Sequence, residues 1–323
     1  MISMSPFLWL VLGGLLSAGY HGRWTIPVAA WLALTALLHF TRIELPVAGF
    51  FWTWLVLLIV YGLANRGVMP MPVRPYLAIF AVIALLPALA FLADRLLATR
   101  LPGFASTLVF PLAWATLEFL SSRLNPFGTW GTLGYPQYGN LPLMQLASVT
   151  GVLGISFLVA WFAAAVNWAW DRQFQWAAVG PGILVFLGVL SAIYLAGGAR
   201  LMRNHANATT VRVARIGWPG VIERRNLFRL YRPQLQLSDS EREQLHKGFQ
   251  RTADKFLEDT RREARAGARI VVWPEASALV FAEDEPPYVE RVVIAACNAM
   301  LFTAAPALLA VRFERTRREG DAY

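Results

Sequence analysis

Over residues 1–197 the apolar positions come in long unbroken runs, and the polar positions fall between the runs rather than alternating within them. A helix that crosses the hydrocarbon core needs about 20 mostly apolar residues, because every backbone amide has to be satisfied inside the lipid. Seven stretches approach that length: residues 7–20, 26–40, 48–63, 76–92, 104–120, 144–170 and 176–195. Breakers and interface aromatics fill the connections, among them Trp24, Pro46, MPMPVRP and the Gly/Pro-rich NPFGTWGTLGYPQYGNLP. The first run starts without Lys or Arg and is followed at once by others, so it reads as a first span and not as a cleaved signal peptide.

Beyond residue 197 the pattern changes. TTVRVARIG alternates Val or Ile with Arg and Ala, the two-residue period of a short strand. SDSERE supplies a capping box, Ser238 with Glu241 three residues on, which answers two free amides of a helix's first turn. Leu245, Phe249, Ala253, Phe256, Leu257 and Ala264 then recur at helical spacing until Gly267, placed where a left-handed C-terminal cap prefers glycine. RIVVW, residues 269–273, is too apolar for an exposed strand and predicts one inside a sheet covered by helices. Residues 286–300 read as another helix, and MLFTAAPALLAVRFE as one or two further strands. These patterns divide the chain into a multi-span α-helical membrane domain over 1–197, a linker at 198–209 and an α/β unit over 210–323. No internal repeat, low-complexity tract, phosphate loop or dinucleotide-binding glycine pattern is present.

Composition agrees with that division. With 57% hydrophobic and only 15% charged residues, one compact water-soluble domain is excluded. Residues 1–197 hold eight Arg and four acids, whereas the rest holds 21 basic and 16 acidic side chains. The net charge of +9 raises the question of nucleic acid, but the basic runs TRREARAG and RTRREG carry interleaved acids and read as solvated faces, so no nucleic-acid partner is expected. Contact with anionic lipid headgroups is a secondary use of that charge. The loop arginines divide evenly, with Arg23, Arg66, Arg74 and Arg123 on one side and Arg42, Arg95, Arg100 and Arg172 on the other, so charge bias sets no orientation. A single cysteine, Cys297, excludes an internal disulfide, and the four His residues show no metal-ligand spacing, so neither metal nor cofactor is expected.

Two carboxylates stand out. Glu118, in AWATLEFLSSR, is the only acid well inside an expected span, and an ionisable group there is costly enough to be a functional candidate; its nearness to Ser121 and Arg123 leaves an interfacial role open. Glu275 follows the buried strand and the Trp273-Pro274 turn, and α/β folds present catalytic groups beyond strand ends because ligands bind there.

The combination of a helical membrane block, a strand, a long helix and a V-V-W-P-E-A strand end resembles apolipoprotein N-acyltransferase, whose soluble part belongs to the nitrilase (carbon–nitrogen hydrolase) superfamily. PLAWATLEFL, GTWGTLGYPQYGN and QLASVTGVLGISFLVAWFAAAVNWAW are similar to that family's Trp…Glu, Gly-Tyr-x-Gln and Gly-x-x-Gly-x-Ser-Phe-Leu pattern. The resemblance implies a nitrilase-like αββα sandwich over residues 210–323. It also implies ping-pong acyl transfer by a Glu–Lys–Cys triad, from a phospholipid acyl donor to the N-terminal amine of a bacterial lipoprotein's diacylglyceryl-cysteine, on the periplasmic face of the inner membrane. Only Glu275 carries over as a catalytic residue, in the role of general base for the thiol. The family's Lys and Cys follow the W-P-E strand on later strands, and RFERTRREGDAY resembles the segment before the next of these, so the nitrilase-like domain is expected to be incomplete and the chain as it stands inactive. Lys247 and Lys255 precede Glu275 on the long helix and read as a solvated face, and Cys297, in VVIAACNAM, reads as a buried structural thiol. The other expectation is a non-catalytic membrane protein that binds lipid or a partner through a degenerate nitrilase-like domain.

Overall fold

The computed structural model describes residues 5–21, 25–66, 72–125, 128–203, 210–217, 238–274, 278–281, 284–296, 300–303 and 308–311. They fall into two compact units, Met1–Asn204 and His205–Tyr323.

The first unit is helical. Its helices are α1 (Pro6–Tyr20), α2 (Pro27–Ile43), α3 (Pro46–Ala64), α4 (Val73–Leu97), α5 (Val109–Leu124), the one-turn α6 (Leu141–Met144) and α7 (Ala147–Thr150), α8 (Val152–Asp171) and α9 (Trp176–Met202). Proline opens α1, α2 and α3, where its missing amide hydrogen would have had no partner and its fixed φ already suits a helix. Five stretches are long and apolar enough to cross a membrane: Pro46–Ala64, Val73–Arg100, Gly103–Leu124, Val152–Asp171 and Trp176–Met202. The first two expected spans are shorter helices of 15 and 17 residues, rising about 22 and 25 Å against a hydrocarbon core of about 30 Å.

The expected span over residues 144–170 is corrected. Gly151 adopts φ 68°, a left-handed conformation that ends α7, and α8 begins only at Val152. Residues 141–150 form two single turns, the first capped by the Asn140 side chain accepting from Leu143 N. At the other end of the block α9 runs straight through Gly197-Gly198 to Met202, so the first residues of the expected 198–209 linker are helical.

α8 is the central helix: 67% of its apolar window is buried, against 22–28% for the other four long helices. Its buried face carries Ala160, Ala163, Ala164 and Ala165, small enough for α2 and α5 to pack closely on it. Phe40, Phe80, Phe91 and Phe110 fill the core around that face. Several polar side chains inside the block are matched. Asn167 donates to Thr35 O and Ala163 O at 3.0 Å each, and Trp161 Nε1 donates to Thr107 Oγ1 at 2.9 Å. The Arg42 guanidinium grips Asp94 with two hydrogen bonds of 2.8 and 3.0 Å and reaches Asp171 at 3.3 Å, tying α2, α4 and α8 together at one end. Asp94 is only 1% exposed, so its charge depends on that arginine.

In the second unit β1 (Val213–Arg215), β2 (Ile270–Trp273) and β4 (Met300–Thr303) form a parallel sheet in the order β1-β2-β4, while β3 (Ala278–Phe281) pairs in parallel with β5 (Leu308–Val311). β2 is the inner strand, as its apolar sequence predicts. Val271 and Trp273 are buried, with the Trp273 ring 5.1 Å from that of Phe256 and its Nε1 donating to Thr260 Oγ1 at 2.9 Å. Both partners lie on α10 (Asp239–Arg265), which begins with the expected Ser238/Glu241 capping box and ends before Gly267 at φ 89°. The helix expected over 286–300 is α11 (Glu285–Ala296) and stops short of Met300, whose backbone pairs with Ile270 in β4. MLFTAAPALLAVRFE supplies two strands that join different sheets, and β3 is an element the sequence pattern did not reveal.

Replacing Asp94 with Asn leaves the enclosed Arg42 charge without its main partner. The substitution is expected to lower the stability of the helical block by about 3 kcal/mol. Unfolding in detergent micelles, compared with the unsubstituted protein, checks this.

Candidate functional site

Two places position chemistry-bearing residues. The first lies at the end of the helical block where α1, α3 and α5 finish and α8 begins. Glu118 sits on α5, and its Oε1 accepts from Trp114 Nε1 at 2.9 Å and from the backbone N of Leu133 at 2.7 Å. Its Oε2 is buried without a completed hydrogen bond and is faced by Ser156 of α8, whose hydroxyl is likewise unanswered. Around them stand the buried hydroxyls of Ser17, Tyr20 and Thr132, also without completed hydrogen bonds. Tyr20 and Tyr61 lie within electrostatic reach of the carboxylate, and the His21 ring lies 4.3 Å from each tyrosine ring.

The segment over residues 128–140 is fastened here. Gln137 is buried; its Nε2 donates to Pro27 O at 2.9 Å and its Oε1 accepts from Trp31 Nε1 at 3.1 Å, so one side chain holds both the start and the first turns of α2. A Cβ on Gly134 would stand 2.6 Å from Val152 O, which only glycine allows. Further along, a Cβ on Gly197 of α9 would stand 2.0 Å from Pro142 O, and Asn140 donates to the Tyr194 hydroxyl. The last turns of α9 therefore pack on this same end.

The second place is the C-terminal end of β2. Trp273 and Pro274 are described; Glu275, the sequence-predicted base, and Cys297 lie outside the described residues. Lys247 pairs with Glu243 at 2.6 Å and Lys255 with Glu258 at 3.0 Å, both on the exposed face of α10. The acids of TRREARAG and its neighbourhood are similarly engaged, with Arg262 on Asp259 at 2.8 Å and Arg212 on Glu263 at 3.0 Å. Tyr288 is enclosed in the core beside Trp273 and Val280, and burial pushes its phenol above the ordinary value, so it stays neutral and cannot act as a base. Among the described residues no three His, Cys, Asp or Glu side chains converge as metal ligands.

Comparison with known proteins bears on the first place directly. Residues 12–165 match the description "Apolipoprotein N-acyltransferase N-terminal domain". This helical block is similar to the N-terminal domain of apolipoprotein N-acyltransferases. A protein of Geobacter metallireducens named apolipoprotein N-acyltransferase is 28% identical over 90% of the chain and 55% of its own length. Proteins of the same name from Chromobacterium violaceum and Rickettsia prowazekii are 32% and 26% identical over 40% and 33% of the chain, and over 23% and 21% of their own lengths. The chain thus spans about half the length of the Geobacter relative.

The residues that carry the resemblance within the helical block are brought together. Trp114 and Glu118, Gly134 and Gln137, and Gly151, Gly154 and Ser156 all meet at the knot around α5 and the start of α8. Sequence reasoning found Glu118 but missed its partners Leu133, Ser156 and Tyr20. A signal was available in the pairing of chain ends: helices that alternate in direction bring the ends of α1, α3 and α5 together, so polar residues near those ends are mutual candidates.

Gln137→Ala leaves the Trp31 indole and the Pro27 carbonyl without their partner. The variant is expected to be less stable by about 1–3 kcal/mol. Equilibrium unfolding in micelles measures it, with Tyr138→Ala as the control, since Tyr138 is exposed.

Proposed function

We propose that this protein works in lipoprotein N-acylation, moving an acyl chain from a phospholipid to the N-terminal amine of a diacylglyceryl-cysteine, with Glu275 as general base. The observation that carries the reading is β2, a buried inner strand of a parallel sheet whose C-terminal end leads through Trp273-Pro274 to residue 275. Groups at that point of an α/β sheet face the crevice where ligands bind. Similarity to the Geobacter N-acyltransferase over 90% of the chain supports extending the family reading from the helical block to this strand.

In this reading residues 210–323 belong to a nitrilase-like fold, which two parallel sheets sharing a core with α10 and α11 support. The helical block lets both lipid-borne substrates arrive sideways from the bilayer, and the soluble unit works on the periplasmic face of the bacterial inner membrane. Glu275 takes the proton of a thiol, and the thiolate attacks the phospholipid ester carbon. A carbon–sulfur bond forms as the ester carbon–oxygen bond breaks, and the lysophospholipid leaves with the proton. The acceptor amine then attacks the thioester, forming the amide and returning the thiol. No residue of this sequence is assigned the thiol's role. Cys297 sits in an apolar stretch, and Lys247 and Lys255 are held in surface pairs, which favours a second reading as a non-catalytic protein that binds lipid or a partner.

The test supplies the protein, in its native membrane, with a phospholipid carrying a labelled acyl chain and a diacylglyceryl-cysteine peptide. Transfer by the native gene product is expected, with a fall of about 10²–10⁴-fold in Glu275→Gln, whereas the 323 residues alone, in which no residue is assigned the thiol's role, are expected to form no acyl thioester. Equal transfer by both forms removes the base assignment, and no transfer by the unsubstituted protein with lipid still bound favours the second reading. Hydroxylamine-sensitive label on Cys297 would instead make that residue the nucleophile.

A further inference from the structure

Glu118 is a carboxylate that the proposed chemistry does not use. It is also costly where it stands, since its Oε2 is buried within the helical block. Three hydrogen-bond donors face it: the Trp114 indole and Leu133 amide on Oε1, and the Ser156 hydroxyl beside it. An ionised carboxylate accepts on both oxygens and donates nothing, so it suits the centre of such a set, and its bonds to N–H groups are stronger than those of a neutral acceptor. What it holds is a turn. Leu133 N is the backbone atom that ties residues 128–134 to α5, and Thr132, Leu133 and Gly134 are all buried while their neighbours Trp130, Tyr135 and Tyr138 are 49%, 45% and 65% exposed. Those three rings project at the end of the helices, where amphipathic aromatic side chains settle into the headgroup layer.

We infer that Glu118 is a positioning residue: its carboxylate fastens the Thr132–Leu133 turn onto α5 and α8 and so presents Trp130, Tyr135 and Tyr138 as a contact surface for phospholipid headgroups. This rests on the reading above only in taking a phospholipid as the molecule that meets that surface.

The test places the full chain in phospholipid nanodiscs and follows amide hydrogen exchange. In Glu118→Ala, peptides covering residues 129–139 are expected to exchange about tenfold faster, as loss of one charge-assisted hydrogen bond implies, with α2 and α8 unchanged. A phospholipid with a photoreactive headgroup should label residues 129–139 of the unsubstituted protein, and severalfold less in Glu118→Ala. Glu118→Gln keeps an oxygen for Leu133 and should restore most of both signals, whereas Glu118→Met, which fills a similar volume without a comparable acceptor, should not. Should Glu118→Ala fail to fold, Glu118→Asp withdraws the carboxylate by one methylene and is expected to speed exchange of the same peptides. Exchange and labelling in the folded variant that match the unsubstituted protein overturn the inference. Neither readout requires acyl transfer, so this inference and the enzymatic reading fail separately.

Discussion

A charged or polar side chain enclosed among apolar helices has only other protein groups to answer it, and the helical block sets Arg42 and Glu118 at two places where other segments supply partners. At one end Arg42 spans Asp94 and Asp171 and so joins α2, α4 and α8. At the other, Glu118 gathers the indole of Trp114 and the amide of Leu133. Between them the packing is nearly all apolar, with Asn167 and Thr107 matched inside it. Hydrocarbon exerts no hydrophobic pressure that would hold helices together, so close packing at small residues and these polar ties fix which helix lies beside which.

The two ends differ in what they hold. The Arg42 end ties helix to helix and contains no irregular segment of comparable length. The Glu118 end holds a stretch that is neither long helix nor strand, residues 128–150, against the starts of α2 and α8 and the last turns of α9. Backbone without regular structure is tolerated near a bilayer only where its polar groups are satisfied by protein or water. Glu118 accepts from Leu133 N and Asn140 from Leu143 N, Gln137 ties the segment to α2, and Gly134 and Gly197 let backbone approach backbone where a Cβ would collide. The family's recurrent pattern in this block is thus a description of how one irregular segment is fastened.

The soluble unit is organised on a different principle. There the buried strand β2 is flanked by parallel neighbours, and α10 covers the face that carries Val271 and Trp273. Lys247, Lys255 and Arg262 stay at the exposed side of α10 in short-range pairs. The reading of Glu275 as a base rests on its place after this strand and on the resemblance.

Much of this was legible in the chain. The apolar runs located the five long helices described in the first unit, because the need to satisfy backbone amides within lipid is a local requirement that each run meets alone. Ser238, Glu241 and Gly267 marked the ends of α10 for the same reason: caps answer amides and carbonyls only a few residues away. The composition break placed two kinds of domain in one chain. Only the tertiary structure decided that Gly151 breaks the expected sixth span, that residues 300–311 enter two different sheets, and that β3 exists at all. It alone also showed what Glu118, Arg42 and Gln137 touch, since their partners stand at the ends of other helices, far along the sequence, and no local periodicity encodes which ends meet. Local hydrogen bonding is written residue by residue, whereas the matching of buried polar groups is a property of the packed whole.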